Sequence, residues 1–222
     1  MTDELKQAAA EKALELVQDG MLIGLGSGST ARYFTEGLGH LVAGGMKVRG
    51  VPTSRATAEL AAELGIPIVT ELVGQIDLTV DGADEVDPAL NLIKGRGGAL
   101  FRERLLWATS NRRILAIDSS KRVARVGLNF PLPIEVHPNA TAILLDFLGT
   151  VGCTNASLRL TSGKDGPLIT ETGFFIMDAS FDAIRDGLHA ELKRLPGVLE
   201  TGLFEGYDFE IIEGPYSRAQ GT

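Results

Sequence analysis

Leu78-Thr-Val-Asp81-Gly-Ala-Asp-Glu-Val-Asp87, followed by Lys94-Gly-Arg-Gly-Gly-Ala-Leu100 and Glu103, is the stretch on which the fold turns. Leu78 to Val80 is a short apolar run, the pattern of a buried strand. Asp81, Asp84, Glu85 and Asp87 follow it directly. Carboxylates at the C-terminal end of a parallel strand stand where open α/β sheets bind ligands. A nearby lysine and glycine-rich backbone add positive charge and accessible N–H donors. This combination suits a polar, anionic small molecule on which a proton is moved.

Upstream, helix and strand signals alternate. Residues 3–18 are rich in Ala, Leu, Glu and Lys at helical spacing, and Gly20 ends them. Met21-Leu-Ile-Gly-Leu25 reads as a buried strand entering a glycine-rich turn. A helix to about residue 41 should follow, capped by Ser29 or a neighbour. Residues 47–51 read as a strand, 54–64 as a helix, and 66–69 and 77–80 as strands. Residues 99–110 read as a helix and 113–117 as a strand. The rhythm predicts an α/β fold, Rossmann-like, with a doubly wound and mostly parallel sheet.

Downstream, Asn129-Phe-Pro-Leu-Pro133 carries two prolines and reads as a boundary. A helix (139–148), a strand (156–160), a turn at Ser162-Gly-Lys-Asp-Gly166, strands at 168–170 and 174–178 and a helix (181–195) predict a smaller α+β domain. Residues 199–204 and 209–213 read as closing strands that return to the first sheet. The expected domains are therefore 1–128 with 200–222, and 129–199.

The bulk properties narrow the function. Of 222 residues, 44% are hydrophobic, enough for a sizeable core. Lys and Arg number 21 against 29 Asp and Glu, a formal charge of −8. That disfavours nucleic acid and anionic membrane as partners. Cys153 is the single cysteine, so no internal disulfide forms, as suits a reducing cytoplasm. The polar start, Met1-Thr-Asp-Glu-Leu-Lys6, is unlike a signal peptide. No apolar run approaches the ~20 residues of a membrane helix.

Gly24-Leu-Gly-Ser-Gly-Ser-Thr30 lies between a strand and a helix. Its backbone N–H groups and the hydroxyls of Ser27, Ser29 and Thr30 suit a phosphate. It is not a dinucleotide fingerprint, because Ser29 stands at the third glycine and Val51-Pro-Thr53 supplies no acid for a ribose. It also lacks the Lys-Ser/Thr of a Walker loop. Taken alone, it favours an anion site over the other reading, a glycine-rich turn with a capped helix. Asp81 and Asp84 could serve turn chemistry, and Asp84 or Asp87 could cap a helix. A metal is not expected. The acids lack the calcium-loop spacing, and His40, His137 and His189 are scattered. Glu103 falls early in a helix, where the dipole favours a carboxylate. By itself, with Arg102 and Arg104 beside it, it reads as a solvated face. Lys121, in Asp118-Ser-Ser-Lys121, follows another strand.

In combination these segments closely resemble ribose-5-phosphate isomerase of the A type. The resemblance covers most of the chain and includes Gly24 to Thr30, Asp81-Gly-Ala-Asp-Glu85, Lys94 to Leu100, Glu103, Ser120-Lys121, Pro131-Leu-Pro-Ile-Glu-Val136 and Leu195-Pro-Gly-Val-Leu-Glu-Thr-Gly-Leu-Phe204. It implies an aldose–ketose isomerase acting on ribose 5-phosphate and ribulose 5-phosphate in the non-oxidative pentose phosphate pathway. It further implies no cofactor or metal, and a homodimer or homotetramer. Carried over by position, Glu103 is the base. Ser27, Gly28, Ser29, Thr30, Asp81, Gly82, Ala83, Asp84, Lys94, Gly95, Arg96, Gly97 and Lys121 line the substrate site, with Lys6 as a further phosphate-side lysine. Two segments depart from the family. Thr170-Glu-Thr-Gly-Phe-Phe-Ile176 stands where Thr-Asp-Asn-Gly-Asn-x-Ile is common, and Glu213-Gly-Pro-Tyr216 is variant. The rivals are a sugar-phosphate-sensing domain without catalysis, and a CoA-transferase-like enzyme, for which no CoA site is visible.

Overall fold

The computed structural model describes residues 3–71, 74–161, 163 and 166–214. The chain forms two compact units, one of Met1–Ala83, Arg102–Lys121 and Asp208–Thr222, the other of Asp84–Phe101 and Arg122–Tyr207. Elements are numbered along the chain.

The first unit is built on five parallel strands: β1 (Leu22–Leu25), β2 (Arg49–Pro52), β3 (Ile76–Asp81), β6 (Ser110–Ile117) and β12 (Glu210–Glu213). Their order is β12-β6-β3-β1-β2. Alternate strand residues face opposite ways, and each face is covered. Ile23 and Leu25 pack with Ala9, Ala10 and Ala13 of α1 (Asp3–Leu14), and with Phe34 and Leu38 of α2 (Ser29–Ala43). Leu22 packs instead with Val51, Ile76 and Leu106, the last from α4 (Leu100–Thr109). Helices on both faces of a parallel sheet make the expected doubly wound fold. The chain order reverses between β1 and β3, which places the topological switch at their C-terminal ends.

The second unit holds an antiparallel sheet, β10 (Val198–Thr201), β7 (Leu132–Val136), β9 (Phe175–Phe181) and β8 (Cys153–Leu158) in that order. α5 (Thr141–Thr150) and α6 (Leu188–Leu192) pack Leu144, Leu148, Leu188 and Leu192 with Ile134, Val136, Met177 and Ala179 of that sheet. A small sheet, β11 (Leu203–Phe204), β5 (Leu92–Ile93) and β4 (Glu85–Val86), completes it.

Several expectations change. Asp84–Phe101, residues 122–128 and residues 200–207 belong to the second unit rather than the first. The Pro131/Pro133 segment is a strand, not a boundary. Pro133 is tolerated because its carbonyl accepts from Gly202 N–H at 2.7 Å where β10 has just ended, and its missing donor interrupts no ladder bond there. β10 and β11 pair with β7 and β5, and only β12 returns to the first sheet. Residues 66–69 make a single bridge, Gly50 to Ile68. The helix expected over 181–195 shrinks to Leu188–Leu192, because Gly187 enters it at φ 78°. Asp87 caps no helix. Its Oδ1 accepts from Ala89 and Asn91 N–H, closing the turn between β4 and β5. Of the 162–166 turn, Ser162, Lys164 and Asp165 lie outside the described residues, as do Pro215 and Tyr216 of the C-terminal variant segment.

One buried acid gives this unit a pH signature. Glu135 on β7 lies opposite Glu200 on β10, and the two are 1% and 4% exposed. Glu200 is compensated by Lys193 Nζ at 3.2 Å and its neighbour's N–H, whereas Glu135 accepts from the Thr172 hydroxyl. Burial pushes the Glu135 carboxyl above the ordinary carboxylate range. Thr170 and Thr172 oppose this by less, and Glu200 adds to the rise. The folded state thus holds this proton more tightly than the unfolded chain. The resulting stability is present at low pH and is lost as pH climbs through the raised value. Glu135→Gln keeps an acceptor and abolishes the titration. The melting temperature of the variant minus that of the parent should therefore increase between about pH 4 and about pH 8. A difference independent of pH would rule out the buried titration.

Candidate active site

In the first unit the site grows from the switch point. Gly26 N–H donates to Val80 O at 3.0 Å, carrying β1 one residue past its end. A Cβ at Gly26 would lie 2.3 Å from Asp81 Oδ1 and 2.7 Å from its Cα, so only glycine admits the wholly buried Asp81 here. Ser27 N–H and Gly82 N–H both donate to Asp81 Oδ1, at 3.1 and 2.8 Å. The Ser27 hydroxyl pairs with that of Thr53 at 2.7 Å, and Thr53 donates to Leu25 O. Sequence reasoning missed Thr53. Its signal was its place at the end of β2, beside the loop.

Gly28, at φ 93°, starts α2, and no side chain caps that helix. The cap position thus falls to Ser29's neighbour Gly28, which has no side chain to accept a hydrogen bond, and the first-turn amides of Ser29, Thr30 and Ala31 keep their donors for a ligand. A cavity of about 340 Å³ lies here, lined by Gly26, Ser27, Gly28, Arg32, Ser54 and Thr57 among others. Ser54 caps α3 (Arg55–Glu63) by accepting from Thr57 N–H.

Glu103 sits in the first turn of α4 and is 6% exposed. It is not on a solvated face, despite the flanking arginines. Lys121 is half-buried and closes the turn after β6, donating its N–H to Asp118 O, while Asp118 Oδ1 accepts from Ser120 N–H. Gly82 and Ala83, also half-buried, follow β3 directly. Lys6, on α1, pairs with Asp3 at 3.3 Å on its own helix.

The second unit carries the remaining candidates. Lys94 is 2% exposed, with its N–H on Gly202 O at 2.9 Å and its Nζ 5.7 Å from the Phe204 ring centroid. Gly202 tolerates no side chain, because a Cβ would lie 2.2 Å from Lys94 O. Gly95, at φ 94°, packs against Leu100. Arg96 N–H donates to Asp84 Oδ2 at 3.0 Å, and its guanidinium lies 4.8 Å from the Phe130 centroid. Gly97 follows on the exposed side of this loop.

Glu85, inside the acidic motif, had no assigned role. It is wholly buried and accepts from Gly127, Asn129 and Phe130 N–H at 2.5, 2.5 and 3.1 Å. It fixes the backbone next to Asp84. Its donors lie more than 40 residues away, so no local pattern announces them. Among the described residues, no three His, Cys, Asp or Glu are grouped to hold a metal ion. Burial also raises the Cys153 thiol above its ordinary value, away from a reactive thiolate.

Residues 49–215 match the family model of ribose 5-phosphate isomerase A (phosphoriboisomerase A). The chain is 47% identical over 219 residues to ribose-5-phosphate isomerase A of Agrobacterium fabrum, covering 96% of this chain and 94% of that one. It is 46% identical to the Thermococcus kodakarensis protein of the same name over 207 residues, covering 91% and 90%. The structure of ribose 5-phosphate isomerase A from Methanocaldococcus jannaschii superposes with a TM-score of 0.89 at 39% identity, covering 94% and 93%. A D-ribose-5-phosphate isomerase in complex with phospho-erythronic acid superposes with the same TM-score at 42% identity, covering 96% of each chain. With its doubly wound sheet, its glycine loop at the switch point and these matches along nearly its whole length, the chain belongs to the ribose 5-phosphate isomerase A family.

Proposed function

We propose that this protein interconverts D-ribose 5-phosphate and D-ribulose 5-phosphate through an enediolate. The observation that carries the reading is the burial of two ionisable groups of opposite charge type, Glu103 and Lys94, in a chain of this family. Lys and Glu side chains are rarely buried unless they are paired or serve a site. Glu103 removes the proton from C2 of the aldose and returns it at C1, general acid–base work worth about 10²–10⁴-fold. Lys94 and the amides of Gly95 and Gly97 stabilise the charge that develops on the sugar oxygens. Asp81 exchanges the protons that open the ring, and Asp84 positions hydroxyls. The α2 amides, Ser27 to Thr30, Lys121 and Lys6 hold the phosphate. Phospho-erythronic acid, the ligand of the relative, joins a phosphate to a carboxylate. That planar, doubly oxygenated anion stands in for the enediolate.

The reading extends to a place in the non-oxidative pentose phosphate pathway, to the cytoplasm, and to assembly as a homodimer or homotetramer, all on family membership. Among the described residues no helix is long and apolar enough to cross a membrane. A sensing domain would keep the phosphate loop without needing Glu103 or Lys94, and turnover separates the two readings.

The phosphate is remote from the reacting carbons, so its binding energy can be used to orient the sugar. Free ribose should therefore lose kcat as well as affinity. Lys121→Ala should lower kcat/KM for ribose 5-phosphate by roughly one to two decades, the about 1.5–3 kcal/mol of a charge-assisted contact, and alter the residual reaction with ribose little. Equal damage to both sugars would move Lys121 from the phosphate to the reacting carbons or to the fold.

A further inference from the structure

Arg159 follows β8, and its guanidinium is used on both edges. Nε donates to Asp178 Oδ2 at 2.8 Å and Nη2 to Asp178 Oδ1 at 2.5 Å. Nη1 donates to the carbonyls of Gly95 at 2.9 Å and Arg96 at 2.8 Å. The pair is mostly shielded, with side chains 16% and 19% exposed. Asp178 lies on β9, which is flanked by β7 and β8 in the antiparallel sheet, so the fork is anchored on a rigid element.

What the fork grips is the glycine loop. Lys94-Gly-Arg-Gly-Gly98 contains three glycines, with Gly95 and Gly98 at φ 94° and 82°. Such a backbone has many conformations to lose and peptide planes that turn easily. A trans peptide carries its C=O and N–H on opposite edges. With Gly95 O turned to Arg159, Arg96 N–H must face the other way, and it does, donating to Asp84 Oδ2 at 3.0 Å. With Arg96 O held by the same nitrogen, Gly97 N–H is likewise turned away from Arg159. Gly98 N–H also donates to Gly95 O at 3.0 Å, so Arg159 reinforces the first peptide, bonded to Asp84, and holds the second, which presents an amide.

We propose that Arg159, itself held by Asp178, is a positioning residue for the isomerisation. It keeps the Lys94–Gly97 loop in the one arrangement in which Asp84 and the Gly97 amide are aligned. This rests on the reading of that loop as the stabiliser of the enediolate. A loosened loop still admits substrate but stabilises the developing charge poorly, so the cost falls on kcat. Lysine cannot replace the fork. A single ammonium cannot span a carboxylate bidentately and two carbonyls at once.

The test uses Arg159→Lys, Arg159→Ala and Glu103→Gln in one ribose 5-phosphate assay, with each variant's folded fraction measured by thermal melting. Arg159→Lys should lower kcat per folded enzyme by about 10–100-fold, the scale of a misplacement near 1 Å, with KM changed less than about threefold. Guanidinium ion added at millimolar concentration should restore part of kcat to Arg159→Ala and none to Glu103→Gln. Should Arg159→Ala fail to fold, Arg159→Lys carries the decision. A folded Arg159→Lys enzyme with kcat within about twofold of the parent overturns the positioning role, because a merely structural arginine moves melting and not turnover. If Glu103→Gln kept the parental rate while Arg159→Lys still lost kcat, the assignment of the base would have failed and not that of the clamp.

Discussion

Glu103→Gln should reduce kcat on ribose 5-phosphate by about 10²–10⁴-fold and leave affinity for a phosphate-bearing substrate analogue nearly unchanged. The substitution keeps the shape of a side chain that is 6% exposed in the first turn of α4. It keeps a hydrogen-bonding oxygen and removes only the ability to take a proton. The glycine loop after β1 and the α2 amides are untouched, so the ground state should bind as before. Steady-state kinetics with a separate binding titration of the analogue checks both halves. A kcat loss smaller than about tenfold would remove Glu103 as the base.

Glu85→Ala should have the largest effect on stability, a loss on the order of 4 kcal/mol in urea unfolding. The carboxylate, itself wholly buried, accepts three backbone N–H donors, from Gly127, Asn129 and Phe130. Alanine takes the shared acceptor from all three donors, which lie on the partly buried 127–130 segment, and each hydrogen bond to a charged group contributes about 1.5–3 kcal/mol. Loss of the carboxylate's own burial cost offsets part of this. Glu85→Gln should fall in between, since its amide keeps one acceptor and turns N–H groups toward a donor. A loss below about 1 kcal/mol for the alanine variant would mean that water or a rearranged loop satisfies those groups. Because Glu85 adjoins Asp84, the folded fraction of the variant should also lose turnover.

The first sheet was legible because its strands are short apolar runs closed by glycines or acids. β1 runs into Gly24 to Thr30, and β3 ends on Asp81. That punctuation is local, and so were the segments it pointed to. The second unit was harder to read for identifiable reasons. β4 and β5 are two residues each, too short for any period to show. β7 contains Pro133, which local rules count against a strand, and only the end of β10 opposite it removes the objection. The extent of each unit depends on pairings such as β11 with β5, between residues more than 100 apart, which composition does not reveal.

The same distinction runs through the candidate site. Asp81, Lys94 and Glu103 were visible as residue types in a motif. The burial that makes them more than turn or surface residues is tertiary. Glu85 and Arg159 act on backbone groups 42 to 45 and 63 to 64 positions away, beyond the reach of any window read along the chain.

Isomerisation itself is tested most directly by incubating exhaustively chelated protein with ribose 5-phosphate in deuterated water and following the sugar by NMR. The expected result is ribulose 5-phosphate at an undiminished rate, with solvent deuterium entering at C1 in a fraction of turnovers. A single carboxylate that holds the proton between C2 and C1 exchanges it with solvent only part of the time. Absence of conversion, or conversion that disappears with the chelator and returns with a divalent cation, would contradict a metal-free enediolate mechanism run by Glu103.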